Sequence, residues 1–298
     1  MNPRDIFLLI MMAAIWGLNF VAIKTGLNHV PPLTFSTLRF VATFFPAIFF
    51  VKKPKVPLSK IAAYGVVTFG GQFGFMFSAI HAGLSPGLAS LVAQSQVFFT
   101  IGLAAFLLRE VPKFYQLMGA LIAAGGLTLV GLHVGGEVTL LGLALAFTAS
   151  FSWACGNMLT KDFGDKLNIF DLTVWGSLFA SIPLFIAALI FEGPTTMLQS
   201  MHEIHGETLL ALIYIVYLST FFGYTIWNMM LARYPAVMVA PFTLLVPPFA
   251  LFGTWLLLGE PYALWKFVAT LLVLGGLAVN QFGGKLYTRI LSVVRDAA

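Results

Sequence analysis

Apolar residues arrive along this chain in runs of membrane length, separated by short polar or proline-bearing stretches. Ten such runs cover residues 6–23, 34–51, 61–80, 87–108, 114–132, 138–160, 172–191, 208–231, 236–258 and 267–284. About 20 apolar residues in a helix cross a hydrocarbon core, where only intrahelical pairing satisfies the backbone. The pattern predicts an all-α membrane protein with ten transmembrane helices. The longest connection, residues 192–207, is too short to hide a soluble domain.

Two stretches repeat. Leu107, Leu108, Glu110, Gly125, Gly126 and Leu127 recur 150 positions later as Leu257, Leu258, Glu260, Gly275, Gly276 and Leu277. A weaker echo joins Trp16 and Lys24 to Trp153 and Lys161, with Asn19 and Asn157 nearby. The chain therefore reads as a duplication, residues 1–134 and 135–298, each with five spans. Five is odd, so the second copy enters the membrane from the opposite side, and the repeats are inverted. Inverted helical repeats are an architecture on which secondary transporters build alternating access.

Composition agrees. Of 298 residues 59% are hydrophobic and 9% charged, with a mean hydropathy of +0.94, against about 25% charged residues in soluble domains. The net charge of +5 would suggest nucleic acid in a soluble chain. Here the position of the charges carries the meaning. Arg4, Lys52, Lys53, Lys55, Lys60, Arg109, Lys113, Lys161, Lys166, Arg233, Lys285, Arg289 and Arg295 fall on one side, leaving little more than Lys24 and Lys266 on the other. The positive-inside rule then places both termini in the cytoplasm. The first run is too long for a signal-peptide core and reads as a retained span. A single cysteine, Cys155, excludes an intrachain disulfide framework and a cysteine-based metal cluster.

Chemistry is sparse. All acids lie at span ends or in connections, so transport is expected to proceed without a midplane carboxylate relay, by a passive or exchange mechanism. Phosphate-loop, HExxH and paired membrane carboxylate signatures are absent, which argues against an enzyme, and no cofactor or metal is expected. Intramembrane polar residues stand out because each costs free energy unless paired or facing water. Arg39, Gln72, Gln94, Ser95, Gln96, Asn157, Tyr224 and Asn228 are the candidates. Arg39 lies near a span end, where snorkelling accounts for it. Gln94 and Gln96 point about 200° apart on a regular helix, so they do not both face one cavity squarely. Asn19 with Lys24, and Asn157 with Lys161, sit toward opposite membrane faces and are expected to help form two gates, with Trp16 and Trp153 as bulky plugs deeper in. Pro241, Pro247 and Pro248 should bend or unwind the ninth span. Small-residue faces at Gly70/Gly74 and Gly142/Ala146/Ser150/Ala154 suit close helix packing.

The segments Trp16-Gly-Leu-Asn-Phe-Val-Ala-Ile-Lys24, Pro31-Pro32, Leu38-Arg39-Phe40 and Gly87-Leu-Ala-Ser-Leu-Val92, with the Leu-Leu-x-Glu endings at Glu110 and Glu260, resemble EamA-type carriers of the drug/metabolite transporter superfamily. Ser152-Trp153-Ala154-Cys155-Gly156-Asn157 is similar to the O-acetylserine/cysteine exporter subgroup. The resemblance implies a bacterial inner-membrane carrier exporting small amino acids or related metabolites. It also implies a cavity bounded by the first, third, fourth, sixth, eighth and ninth helices, the fifth and tenth being scaffold. That favours Asn19, Gln72, Gln94, Trp153, Asn157, Tyr224 and Asn228 as substrate-binding residues, and demotes Arg39. The expected partners are a small-molecule substrate and the lipid bilayer, not nucleic acid, with no oligomeric partner legible. Exporters of aromatic amino acids or cationic drugs, and a passive channel, are the alternatives.

Overall fold

The computed structural model describes residues 1–161, 163, 168–202, 204–261 and 263–296. Among them, ten helices are long and apolar enough to cross a membrane: Pro3–Leu27, Pro32–Phe49, Leu58–His81, Pro86–Leu108, Phe114–Leu132, Leu140–Thr160, Ile169–Phe191, Gly206–Arg233, Ala240–Leu258 and Leu264–Gly284. They match the apolar runs to within about one helical turn. Outward side chains are large and apolar, Phe106, Phe191 and Leu264 among them, as a lipid-facing surface requires. The chain is an all-α, multi-pass membrane protein.

The span starts carry their signals in the sequence. Pro3, Pro32 and Pro86 occupy first turns, where a missing N–H costs nothing. Asn2 accepts a hydrogen bond from the Asp5 amide at 2.8 Å, an N-cap. The fourth and ninth spans end alike: Arg109 (φ 55°) and Gly259 (φ 68°) adopt the left-handed conformation, and their N–H groups return to the carbonyls of Ala104 and Thr254. The repeated Leu-Leu-x-Glu ending is thus a helix stop. Its x position needs positive φ, which glycine takes freely and arginine at a cost.

Close packing rests on small residues, since lipid tails give helices no hydrophobic reason to associate. The fifth and tenth spans cross with Gly119 against the backbone of Gly276, and Gly126 against that of Ala269. The adjacent Gly125 and Gly275 face open space. Gly17 of the first span abuts the backbone of Val246 and Ala250 in the ninth. Along the sixth span Gly142 meets Ala79 and Leu84, and the Ser150 hydroxyl donates to the Val92 carbonyl at 3.2 Å. Gly74 of the third span lies against Leu184 of the seventh.

One end of the bundle, here the near end, holds the N-terminus; the other is the far end. At the near end Asp5 accepts from the Tyr234 hydroxyl at 2.5 Å and pairs with Arg233 at 3.5 Å. At the far end the Glu192 carboxylate caps the second span, accepting from the Leu33 and Thr34 amides at 2.6 and 2.9 Å and from the Thr34 hydroxyl at 2.6 Å. Glu260 accepts from the Ser85 hydroxyl at 2.7 Å. The buried Lys266 ammonium pairs with Glu137 and donates to the Pro261 carbonyl at 2.9 Å. These acids hold helix ends and loops together at the ends of the bundle, where a charge avoids the cost of lying in hydrocarbon.

Candidate functional site

Among the described residues, four spans that share a cavity depart from the regular α-helix. The third passes through a π-helical stretch, Gly65–Gly71, and the eighth through another, Tyr214–Phe222. The fourth breaks at Gln94 and Ser95, between the helices Pro86–Ala93 and Gln96–Leu108. The ninth starts as a 3₁₀ turn, Ala240–Leu245, before regular helix resumes at Val246 beside Pro247 and Pro248. Its prolines remove donors and tighten the turn, as the sequence predicts. Side chains from elsewhere satisfy carbonyls in the π-helical stretches. Ser152 donates to the Val67 carbonyl at 2.7 Å, and the Trp16 indole N–H to that of Ser219 at 3.0 Å. Irregular backbone within a membrane is tolerated where it is buried in protein or lines a polar cavity.

All four of these spans border one cavity of about 580 Å³, the third through Gln72, Phe73 and Met76 just past its π-helical stretch, within the roughly 300–1,000 Å³ of small-molecule sites. Asn19, Gln72, Gln94, Trp153, Asn157 and Tyr224 line it, as does Trp16. The Asn157 amide donates to the Thr100 hydroxyl at 3.1 Å, tying the sixth span to the fourth. Trp16 meets Tyr224 edge-to-face and Trp227 at a tilt, with centroid separations of 5.7 and 5.8 Å, an aromatic cluster on one wall. Asn228 is not brought to the cavity, although it lies one turn from Tyr224 on the same helix. Lys24 stands in the last turn of the first span at the far end, away from the lining. Lys161 ends its helix at the near end, and its side chain lies outside the described residues.

Three sequence expectations are corrected. Gln94 and Gln96 both line the cavity, because the turn tightens at Gln94 and Ser95 to i→i−3 hydrogen bonds, and a step of about 120° per residue brings the two side chains closer together than a regular helix does. The tenth span is not scaffold alone: it contributes Asn280 to the lining. Arg39 does not snorkel. It is 3% exposed and faces the cavity, with its guanidinium carbon 3.7 Å from the ring centre of Phe73 and 5.2 Å from that of Phe40. Its Nη2 donates to the Thr220 hydroxyl at 3.4 Å. Five of the lining residues hold buried polar atoms with no protein partner: Asn19 Oδ1, Arg39 Nε and Nη1, Gln72 Oε1, Gln96 Oε1 and Asn280 Nδ2. Buried polar groups are ordinarily paired, so these atoms mark a surface built for a polar occupant.

The two sides of the cavity differ. Toward the far end Ile23, Met76 and Ser90 are fully buried, whereas toward the near end Thr100, Ile101, Asn157 and Asn280 are half-buried. A separate depression of about 880 Å³, on the outer surface between the third and seventh spans, is walled by residues such as Leu33, Val66, Phe75, Leu184 and Phe191. Its apolar walls suit lipid chains and offer little to a polar solute.

Comparison with known proteins gives consistent results. The EamA-like transporter family matches the chain over residues 4–132 and 140–281. A "Probable amino-acid metabolite efflux pump" of Escherichia coli is 43% identical over 288 residues, covering 95% of this chain and 96% of its own length. A Salmonella typhimurium protein of the same description is 41% identical with the same coverage. A solved crystal structure with 18% identity superposes with a TM-score of 0.64, covering 98% of this chain and 99% of its own, which speaks to the fold.

Proposed function

Because this chain belongs to the EamA-like transporter family, we propose that it exports small amino acids or related metabolites, of the O-acetylserine and cysteine kind, across a bacterial inner membrane by alternating access. It is a transporter and not an enzyme. The observation that carries the reading is the mid-depth cavity, lined by amides, hydroxyls and aromatic rings and bordered by four interrupted helices. That combination suits a zwitterion better than an apolar solute.

The two inverted repeats, 1–134 and 135–298, with both termini in the cytoplasm, supply the mechanism in this proposal. Several matched features support it. The helix stops at Arg109 and Gly259, the π-helical stretches from Gly65 and Tyr214, and the interruptions at Gln94–Ser95 and Ala240–Leu245 all recur at or near the 150-residue spacing. The structure then represents a state open toward the cytoplasmic, near end and sealed at the far end. Rocking of one repeat against the other would exchange these roles around a fixed site. Asn19, Gln72, Gln94, Trp153, Asn157 and Tyr224 are the proposed binding residues, and Trp16 a mobile plug.

No carboxylate lines the cavity among the described residues, which supports exchange without a midplane proton relay. Counterflow tests the proposal: proteoliposomes loaded with unlabelled cysteine, O-acetylserine, threonine or tryptophan are followed for uptake of the labelled amino acid with no ion gradient. Saturable uptake of the small amino acids is expected; its absence for every amino acid sinks the assignment. A preference for tryptophan would favour the alternative reading, for which the Trp16–Tyr224–Trp227 cluster provides the π-faces.

A further inference from the structure

We propose that Arg39 is the carboxylate anchor of the transport cavity, holding the substrate's anionic end while unpartnered amide oxygens receive its ammonium. The inference deepens the amino-acid reading above and rests on it for the identity of the substrate, but not for the chemistry of the anchor.

Among the described residues, Arg39 is the only charged one in the cavity wall. It is buried within a membrane span, where a guanidinium is tolerated only when paired or facing a polar cavity. Among the described residues no acid pairs with it; Asp5, Glu137, Glu192 and Glu260 are engaged at the bundle ends. What surrounds it holds it in place without neutralising it. The Phe73 ring lies 3.7 Å from the guanidinium carbon, and Phe40 and Phe77 lie within 5.2 and 5.9 Å, a cation–π setting that favours a fixed orientation. The Thr220 hydroxyl takes one donor, and Nε and Nη1 have no protein acceptor.

A planar guanidinium fork, fixed by aromatic rings and lacking a protein counter-ion, recognises carboxylate better than any neutral group. Uncompensated positive charge in a low-dielectric cavity also repels cations, which argues against cationic drugs as substrates. The ammonium end needs acceptors. Asn19 Oδ1, Gln72 Oε1 and Gln96 Oε1 line the same cavity and lack partners, while Trp16 and Tyr224 offer ring faces.

Two readouts on the full-length protein test the anchor. In the first, thermal stabilisation of the detergent-solubilised protein by cysteine, by propionate and by cysteine methyl ester is compared for wild type, Arg39→Lys and Arg39→Gln. The carboxylates are expected to stabilise wild type, the ester far less. Apparent affinity for cysteine should fall roughly 10- to 100-fold in Arg39→Gln, the range for losing one charged hydrogen-bond partner, with an intermediate loss in Arg39→Lys, which keeps the charge without the fork. In the second, counterflow of labelled cysteine competed by its methyl ester should show that Arg39→Gln loses discrimination between acid and ester. Carboxylates that fail to stabilise wild type, or acid–ester discrimination that survives in Arg39→Gln, would overturn the anchor. If Arg39→Gln does not fold, equal cysteine affinity in wild type and Arg39→Lys has the same meaning. Carboxylate binding at Arg39 without counterflow of any amino acid would leave the anchor standing and remove the amino-acid export assignment alone.

Discussion

Gly119 of the fifth span and Gly276 of the tenth each occupy the place where the other's side chain would begin: a Cβ on Gly119 would lie 2.5 Å from the Gly276 carbonyl oxygen, and the reverse substitution collides in the same way. Adding 150 to 119 gives 269, and adding 150 to 126 gives 276. The companion contact, Gly126 against Ala269, is therefore the same contact with the two halves exchanged. The repeated Gly-Gly-Leu sequence is an interhelical seam between the two halves, with one glycine of each pair turned inward.

Substitution at this seam should separate the inward glycine from the outward one. Gly276→Val and Gly119→Val force the two helices apart and are expected to cost about 1–3 kcal/mol, as overpacking does, and to lower the apparent Tm in detergent. Gly125→Ala and Gly275→Ala enter open space and should leave it unchanged or slightly raised, because alanine is the better helix former. Equal losses at all four positions would refute the seam.

The two helix stops make a prediction of opposite signs. Arg109 holds a left-handed conformation that costs an L-residue about 1–2 kcal/mol, whereas Gly259 holds its own without that penalty. Arg109→Gly should raise stability by a few tenths to about 1 kcal/mol, and Gly259→Ala should lower it by about 1. Chemical denaturation monitored by tryptophan fluorescence distinguishes the two signs.

Lys266 is 2% exposed and its partner Glu137 30% exposed. Removing one member of a buried pair costs about 3–5 kcal/mol, and the partial exposure of Glu137 reduces this to roughly 2–3 for Lys266→Met. Because the pair lies at the far end, which is sealed in the proposed state, the variant should also admit a water-soluble thiol reagent from that side to a cysteine placed at Ser90. A Ser90→Cys protein equally protected with and without Lys266 would show that the seal lies elsewhere.

Alternating access is tested by cysteines at Asn19 and Asn157 in a Cys155→Ala background. In the described state Asn157 is half-buried toward the near end and Asn19 is 7% exposed, so modification from the near side should be faster at Asn157. Substrate that drives the protein toward the opposite state should reverse the order. Parallel changes at both positions would count against two gates working in opposition.

The spans were legible because hydrocarbon imposes one rule on every residue in them, and their ends because Pro3, Pro32, Pro86 and Gly259 carry local signals. Asn19, Gln72, Trp153 and Tyr224 were legible as polar or bulky residues too deep for an interface. Arg39 departs from its sequence reading for a physical reason: depth along a helix is readable from sequence, but the direction a side chain takes about its axis depends on neighbours far along the chain, here Thr220, 181 positions away. Gln96 was misread because a regular helix was assumed across Gln94 and Ser95, where no proline announces a break. The cluster Gln94-Ser95-Gln96, three polar residues in succession within an apolar run, was the available signal. Asn280 stands inside a predicted span, but the resemblance implies a scaffold role for its helix.

The π-helical stretches ahead of Gln72 and Tyr224 have a consequence for how such a protein changes over time. A π turn accommodates one residue more than an α turn, and each residue advances an α-helix by about 100°. Loss of a single codon within Gly65–Gly71 or Tyr214–Phe222 is therefore absorbed as a π turn becomes an α turn, whereas the same loss in the regular helix beyond would rotate one part against the other by about that angle and exchange polar for apolar side chains along the wall. Chain length is thus adjustable at two points without turning away the residues that face the cavity.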